Sequence, residues 1–262
     1  MSEGKDFIEM NRECWNRRTD IHVTSAFYDM EGFQSGRSSL NAFERALLGD
    51  VEGQSILHLQ CHFGQDTLSL ARMGAAATGV DFSESAIQVA RETAGELGLS
   101  AEFVLSNVLE LDLGRTYDKV FASYGVLGWI PDVTEWMQVA ARHLAPGGEL
   151  ILVEFHPLIW LFDQKAPVNY FHSSEPDIET QHGSYTDGGA DVEITSCFWD
   201  HPLSDVLTAA RKAGLEVTLF EEYDHSPYPL AGMVERSPGE YVLGDRMGQR
   251  LPHVYALRAR KR

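Results

Sequence analysis

The residues whose types and spacing could do chemistry begin with one short run, Gln60-Cys61-His62-Phe63-Gly64-Gln65-Asp66, set between an apolar strand-like segment and a helix-like one. A helix N-terminus offers free N–H groups to a carboxylate or phosphate. The run lacks GxGxxG, so it is a poor match to a dinucleotide pyrophosphate site. Asp81 lies 17 residues after Gly64, at the end of the next strand-like segment, where a carboxylate can accept both hydroxyls of a nucleoside ribose. Asn107 ends a third segment of the same kind. Loop, acid and polar strand end together favour the ribose over the plainer alternative, in which Asp81 caps a helix next to Ser83. His58, Cys61 and His62 lack the ligand spacing and carboxylate support of a zinc site, so no metal is expected. Further along, His156 follows an apolar strand and is the best-placed titratable base near neutral pH; a turn cap beside Pro157 is the alternative.

Positioning these groups falls to an alternation of strands and helices. Residues 38–49 have helical spacing, with Ser38 or Ser39 as the cap and Gly49 as the stop. Strands are expected at 55–60, 76–82, 101–107, 117–125 and 148–155, and helices at 65–74, 83–98 (capped by Ser83) and 133–144. Continuous apolar strands separated by helices predict an α/β fold, doubly wound, with helices on both faces. Ligands of such sheets bind outside the carboxyl ends of the strands. After Phe155 the rhythm breaks. Residues 156–191, rich in aromatics and proline and too long for an ordinary connection, are expected to form a lid. The rhythm returns with a strand at 191–199, a helix at 202–214 and strands at 215–223 and 253–261. The last strand follows a long connection, 225–235 included, rather than a crossover helix. That predicts an antiparallel insertion into a seven-stranded mixed sheet. The expected division is cap helices over 1–50 and one domain over 51–262 carrying the lid.

Composition bounds the class. The 262 residues are 44% hydrophobic and 10% aromatic, enough for a packed core and against global disorder. No apolar run approaches the roughly 20 residues of a membrane-spanning helix, and the charged N-terminus has no signal-peptide core. Three widely spaced cysteines exclude a disulfide scaffold and suit a reducing cytoplasm. A net charge of −18 would repel a phosphate backbone. No nucleic-acid or membrane partner is therefore expected. With five lysines among 21 basic residues, the surface fits either a high-salt habitat or ordinary solubility.

In order and spacing, ILHLQCHFGQDTLSLA, TGVDFSESAIQVAR, FVLSNVLEL, YDKVFASYGVLGWIPD and EWMQVAARHLAPGGELILVEF resemble the motifs of the class I S-adenosylmethionine-dependent methyltransferases across residues 55–155. Residues 203–223 and 253–261 resemble the family's closing elements less specifically. The first motif departs from the pattern: His58 stands where an acid is usual, and Gln60 and His62 where glycines are. Either the turn has a variant shape, as in a subgroup of small-molecule methyltransferases that the chain resembles, or the cofactor site is lost.

The resemblance implies S-adenosyl-L-methionine as cofactor, a Rossmann-like domain and a small-molecule acceptor methylated on oxygen, nitrogen or carbon. The main chain of Gln60, Cys61, His62, Phe63 and Gly64 would hold the methionine moiety, Asp81 the ribose and Phe82 the adenine face. Asn107 and the Val108 N–H would meet the adenine edge, and Ser123 and Tyr124 would face the sulfonium and methyl. In the bland alternative Phe82 and Tyr124 are core aromatics. Tyr124 and His156 are the catalytic candidates. Tyr28, Trp129, Trp160 and Tyr170 are the expected acceptor walls, with Tyr185 on the same side and Tyr228 and Met233 closing the cleft; Trp15 and His22 belong to the leader. Leaders such as 14–33 cover the cofactor pocket in this family; a surface helix is the alternative. The lid could instead pack against a second copy as a homodimer interface. Competing with the enzyme are an NAD-dependent oxidoreductase, disfavoured by the missing glycine fingerprint, and a non-catalytic S-adenosylmethionine-binding or interaction protein. A nucleic-acid methyltransferase is disfavoured by SYGV where that class carries an Asn/Asp-Pro-Pro-aromatic motif.

Overall fold

The computed structural model describes residues 3–162, 169–230, 232–244 and 251–262. Residues 163–168 of the expected lid, and Ala231 in the 225–235 connection, lie outside this set.

A seven-stranded sheet forms because apolar runs alternate with amphipathic helices. Its strands are β1 (Ser55–Leu59), β2 (Ala76–Asp81), β3 (Ala101–Leu105), β4 (Tyr117–Ser123), β5 (Leu144–Phe155), β8 (Leu215–Tyr223) and β11 (Val254–Lys261). The strand order is β3-β2-β1-β4-β5-β11-β8. Strands β1 to β5 pair in parallel, whereas β11 runs antiparallel to both β5 and β8. The order reverses between β1 and β4, so the switch point opens beside the turn after β1.

The period-2 alternation of β1 divides the core. Leu57 and Leu59 face α6 (Val133–Arg142) and α7 (Leu203–Lys212), with Trp136, Met137, Val206 and Ala209. Ile56 faces α3 (Ala42–Leu48), with Leu47, Leu48, Phe121 and Ile151. The helix α4 (Gln65–Arg72) packs on β2, and α5 (Glu84–Leu97) on β2 and β3. Among the described residues no helix is long and apolar enough to cross a membrane.

Several boundaries differ from the sequence expectation. The cap position of α3 is Asn41, not Ser38 or Ser39, because Ser39 hydrogen-bonds Ser69 of α4 instead. Ser83 does cap α5, accepting from Ala86 N–H. The strand expected at 191–199 is β7 (Glu193–Phe198), which pairs only with β6 (Asp177–His182) in a hairpin outside the main sheet. The connection before β11 contains a second hairpin, β9 (Met233–Ser237) with β10 (Glu240–Leu243).

The leader holds α1 (Glu3–His22) and α2 (Met30–Gln34). The amide of Asn11, fully buried, donates to Cys197 C=O and accepts from Cys197 N–H, both at 2.9 Å, pairing helix to hairpin like a strand edge. At its other side, Asn16 accepts from Ser83 Oγ (2.6 Å) and Ser85 N–H (3.2 Å), fixing α1 on the start of α5.

Candidate functional site

The turn after β1 is strained where the sequence departs from glycine. Gln60 and His62 have φ of 54° and 52°, and Gly64 has φ of 81°. Left-handed backbone at a side-chain-bearing residue costs on the order of 1–3 kcal/mol and persists only where its surroundings hold it. Those surroundings are visible. The Gln60 amide donates to Val126 C=O (2.9 Å) and accepts from Trp136 Nε1 (2.8 Å). The His62 ring packs among Trp15, His22, Tyr28 and Phe63, with centroids 4.2–5.4 Å apart. Gly64 has no alternative, since a Cβ there would lie 2.6 Å from the Phe103 ring. Cys61 and Phe63 are buried beneath the turn.

Asp81 ends β2 with only 7% of its surface exposed. One carboxylate oxygen accepts from His62 N–H (2.8 Å), the other from Ser83 N–H (2.9 Å). Burial raises its pKa to about 6 against the pull of those N–H groups. It therefore both caps α5 and ties down the β1 turn, and each oxygen keeps a lone pair for another donor. Beside it opens a cleft of about 410 Å³ lined by Ile8, Arg12, Phe82, Leu105, Ser106 and Asn107, among others. Leu105, 45% exposed, presents apolar surface in this cleft. Asn107 Oδ1 accepts from Leu109 N–H, and the buried Val108 opens the one-turn helix that follows.

At the end of β4, Ser123 Oγ donates to Asp66 (3.1 Å), and Tyr124, with φ of 47°, donates to Glu44 (3.1 Å). Tyr228 packs edge-on to Tyr124 and accepts from Asn41. Glu44 is fully buried, and burial, with the Asp66 charge adding to it, pushes its pKa up to about 7. Because the folded pKa is raised, the fold loses stability as pH climbs from the ordinary carboxylate range through about 7. Glu44→Gln is therefore expected to raise the melting temperature at pH 8 by a few degrees, on the order of 1–3 kcal/mol, and to leave it unchanged near pH 4. Melting curves of both proteins across that range check this; a pH-independent difference would contradict it.

His156 is not poised as a free base. Its Nε2 bonds Glu222 of β8 (2.9 Å), and its Nδ1 accepts from Leu158 N–H (3.1 Å), so both ring nitrogens are used. Burial lowers its pKa, and the residue is the turn cap beside Pro157. Glu154, one residue earlier in β5, accepts from the N–H groups of Gly125, Val126, Leu127 and Phe155. It thereby pins the loop that follows Tyr124.

The expected acceptor aromatics divide. Trp129 sits between Trp15 (5.2 Å) and Phe198 (5.6 Å), and Trp160 continues the wall against Phe198 and Phe155. Tyr28 bonds Tyr185 of the insertion, ring hydroxyl to ring hydroxyl. Among the described residues Tyr170 packs edge-on against Phe171, which is 71% exposed. It lies near enough to Tyr255, which lines the cavity beside Trp160, to add to the rise that burial gives that hydroxyl's pKa. The cavity beside Trp160 has room for about one water, at about 20 Å³. His58, in place of the usual acid, is buried, bonds Thr67 Oγ1 (2.8 Å) and is held neutral, its pKa lowered to about 4 by burial. Among the described residues no three His, Cys, Asp or Glu side chains are grouped to hold a metal.

Two groups were missed by the sequence reading, Glu44 and Arg18, and Asp66, named in the run after β1, was given no role of its own. Glu44 sits on the apolar face of its helix, between Leu40 and Leu47, a visible conflict. Asp66 is the first-turn acid of α4. Arg18 shares one face of α1 with Trp15 and His22, at helical spacing.

Comparison with known proteins bears on the family and the fold. Residues 56–148 match a family model described as a methyltransferase domain. The chain is 32% identical over 105 residues to a ubiquinone biosynthesis O-methyltransferase of Paramagnetospirillum magneticum, covering 40% of this chain and 42% of that one. A protein of the same description from Alkalilimnicola ehrlichii is 33% identical over 118 residues, 44% of this chain and 48% of the relative. The matches thus span less than half the length of these curated relatives. Among solved structures, an S-adenosylmethionine-dependent methyltransferase from Mesorhizobium loti superposes with a TM-score of 0.59 at 18% identity, covering 87% of this chain and all of that one. Another from Clostridium acetobutylicum gives 0.58 at 13% identity, covering 84% and 88%. At these identities the structures share the fold.

Proposed function

We propose that the chain is a class I S-adenosylmethionine-dependent methyltransferase, a reading supported by the methyltransferase-domain match over residues 56–148 and by the seven-stranded sheet, and that it transfers the methyl group of S-adenosylmethionine to an oxygen, nitrogen or carbon of a small-molecule acceptor by direct displacement. The observation that carries this reading is the junction of three features: the left-handed turn Gln60–Gly64, the Asp81 carboxylate bonded to it, and the cleft of Phe82, Leu105 and Asn107 alongside. A carboxylate with spare lone pairs suits two ribose hydroxyls, and a cleft that sets Phe82 and Leu105 beside Asn107, with Glu9, Arg12, Glu84 and Glu110 around them, offers apolar surface and an amide to an adenine. The residues present fit the cofactor.

In that fit Asp81 holds the ribose, Phe82 and Leu105 cover the adenine faces, and Asn107 with Val108 meets its edge. The main chain of Gln60 to Gly64 and the start of α4 hold the amino-acid end, near Asp66 and Ser123. S-adenosylmethionine, when bound, supplies a methyl on a sulfonium already activated by its positive charge. The protein's remaining tasks are alignment and exclusion of water. Tyr124 and Ser123 line the strand end where the acceptor must arrive, and Glu154 keeps that end in place. For an acceptor that must lose a proton, the titratable pair is Tyr124 with Glu44, replacing the role first given to His156.

Helix α1 and the β6–β7 hairpin cover the site together as cap and lid. The pairs Asn11–Cys197, His22–Ser184 and Asp187 with the N–H groups of Ala26 and Phe27 join them. The acceptor is small, no nucleic acid or membrane is involved, and the chain works in the cytoplasm, where its three free, buried cysteines stay reduced. Incubation with methyl-labelled S-adenosylmethionine and a panel of small phenols, carboxylic acids and amines is expected to give acceptor-dependent S-adenosylhomocysteine. Product formation no faster than without acceptor, across the panel, would contradict the enzyme and support a binding protein.

A further inference from the structure

Arg18 is buried, with 5% of the residue exposed, and its Nε has no hydrogen-bond partner. An arginine stays charged at any accessible pH and is rarely buried without an anion. Among the described residues no carboxylate lies within ion-pair distance of it. It rests instead against three rings: Trp129 at 4.9 Å, Trp15 at 5.3 Å and Tyr185 at 5.9 Å. Rings stabilise the charge but leave the buried Nε–H without an acceptor. The imidazoles nearby, His22 and His62, are held neutral by burial and by the Arg18 charge, and a histidine supplies no negative charge in either form.

We propose that Arg18 receives a carboxylate of the methyl acceptor, so that the substrate is a small organic acid with an apolar body. This rests on the methyltransferase reading above. Two observations assign the anion to the acceptor and not to the cofactor's own amino-acid carboxylate. The three rings on which Arg18 rests come from α1, the loop after β4 and the insertion, while the β1 turn comes near it through the neutral His62 imidazole. From Trp129 an apolar wall then runs on through Phe198 to Trp160 and Phe155, centroids 5.6–5.9 Å apart. Tyr185, 44% exposed, leaves the outer side reachable from solvent. Guanidinium at one end and aromatic wall at the other match an acid whose body is aromatic or aliphatic.

The test uses the full chain saturated with S-adenosylhomocysteine and two probes of one shape, benzoate and neutral benzamide, titrated by NMR. Benzoate is expected to bind at least tenfold more tightly than benzamide, and Arg18→Met to abolish that preference. The variant should keep its S-adenosylhomocysteine affinity within twofold and melt no lower than the parent, because an unpaired buried charge has been removed. Should Arg18→Met fail to fold, Arg18→Gln is expected to give the same loss of benzoate preference. Equal binding of the two probes to the parent would overturn the proposal. So would a tenfold loss of S-adenosylhomocysteine affinity in the variant with methylthioadenosine binding unchanged, which would give Arg18 to the cofactor's carboxylate. Failure of the parent to bind S-adenosylhomocysteine would overturn the methyltransferase reading, and this inference with it.

Discussion

Asp81→Ala is expected to weaken S-adenosylhomocysteine binding by roughly 30- to 150-fold, about 2–3 kcal/mol, the scale of losing charge-assisted hydrogen bonds. The structure adds a second effect that the sequence did not anticipate. A carboxylate at a cleft mouth would be lost with little change in folding. Here it is 7% exposed and satisfies the N–H groups of His62 and Ser83. Removing it releases a turn already holding Gln60 and His62 in left-handed backbone, so stability should also fall, by about 1–3 kcal/mol. The parent carries a further signature. With a pKa of about 6, Asp81 is increasingly protonated below that pH, so its hold on ribose hydroxyls should weaken there. Calorimetric titration of parent and variant, with melting curves, separates the roles. A lower melting temperature with unchanged affinity would make Asp81 a helix cap and turn anchor alone.

The largest loss of stability is expected from Glu154→Leu. Its carboxylate accepts four main-chain N–H groups, three of them from the consecutive residues Gly125, Val126 and Leu127. Leucine fills similar space and accepts none, so buried donors go unsatisfied, at about 3–5 kcal/mol in total. For a chain of this size that lowers the melting temperature by roughly 10 °C. Glu154→Gln, which keeps one acceptor oxygen, should lose less. Thermal unfolding of the two variants checks the order; equal melting of Glu154→Leu and the parent would show that the loop after β4 holds itself.

The central sheet was legible because its physics is local. Segments such as SILHL and GELILVEF are too continuously apolar for anything but a sheet covered on both faces, and the helix periods between them imply parallel crossovers. The antiparallel β11 was also legible, from a connection with no helix in it. What escaped depends on partners far away in sequence. Glu193–Phe198 reads as a strand, but its partner β6 lies in a stretch expected to be an irregular lid, and nothing in either segment names the other. Asn11 meets Cys197 across 186 positions, so α1 shows no sign of the hairpin it is pinned to. For the same reason, excising 160–185 should disturb the leader as well as the lid. The site divides in the same way. Asp81, Phe82 and Asn107 follow from strand ends, but the side chains that hold the β1 turn in shape, Trp136 and the leader's rings, come from elsewhere. His156 looked free because the Glu222 that engages it belongs to a strand 66 residues on.

Titration calorimetry of the full chain with S-adenosylhomocysteine, and separately with NAD, tests the central claim most directly. One site per chain is expected for S-adenosylhomocysteine, with a Kd of about 1–100 µM, and no heat from NAD. Binding of NAD, or no binding of S-adenosylhomocysteine at about ten times the upper figure, would contradict the account.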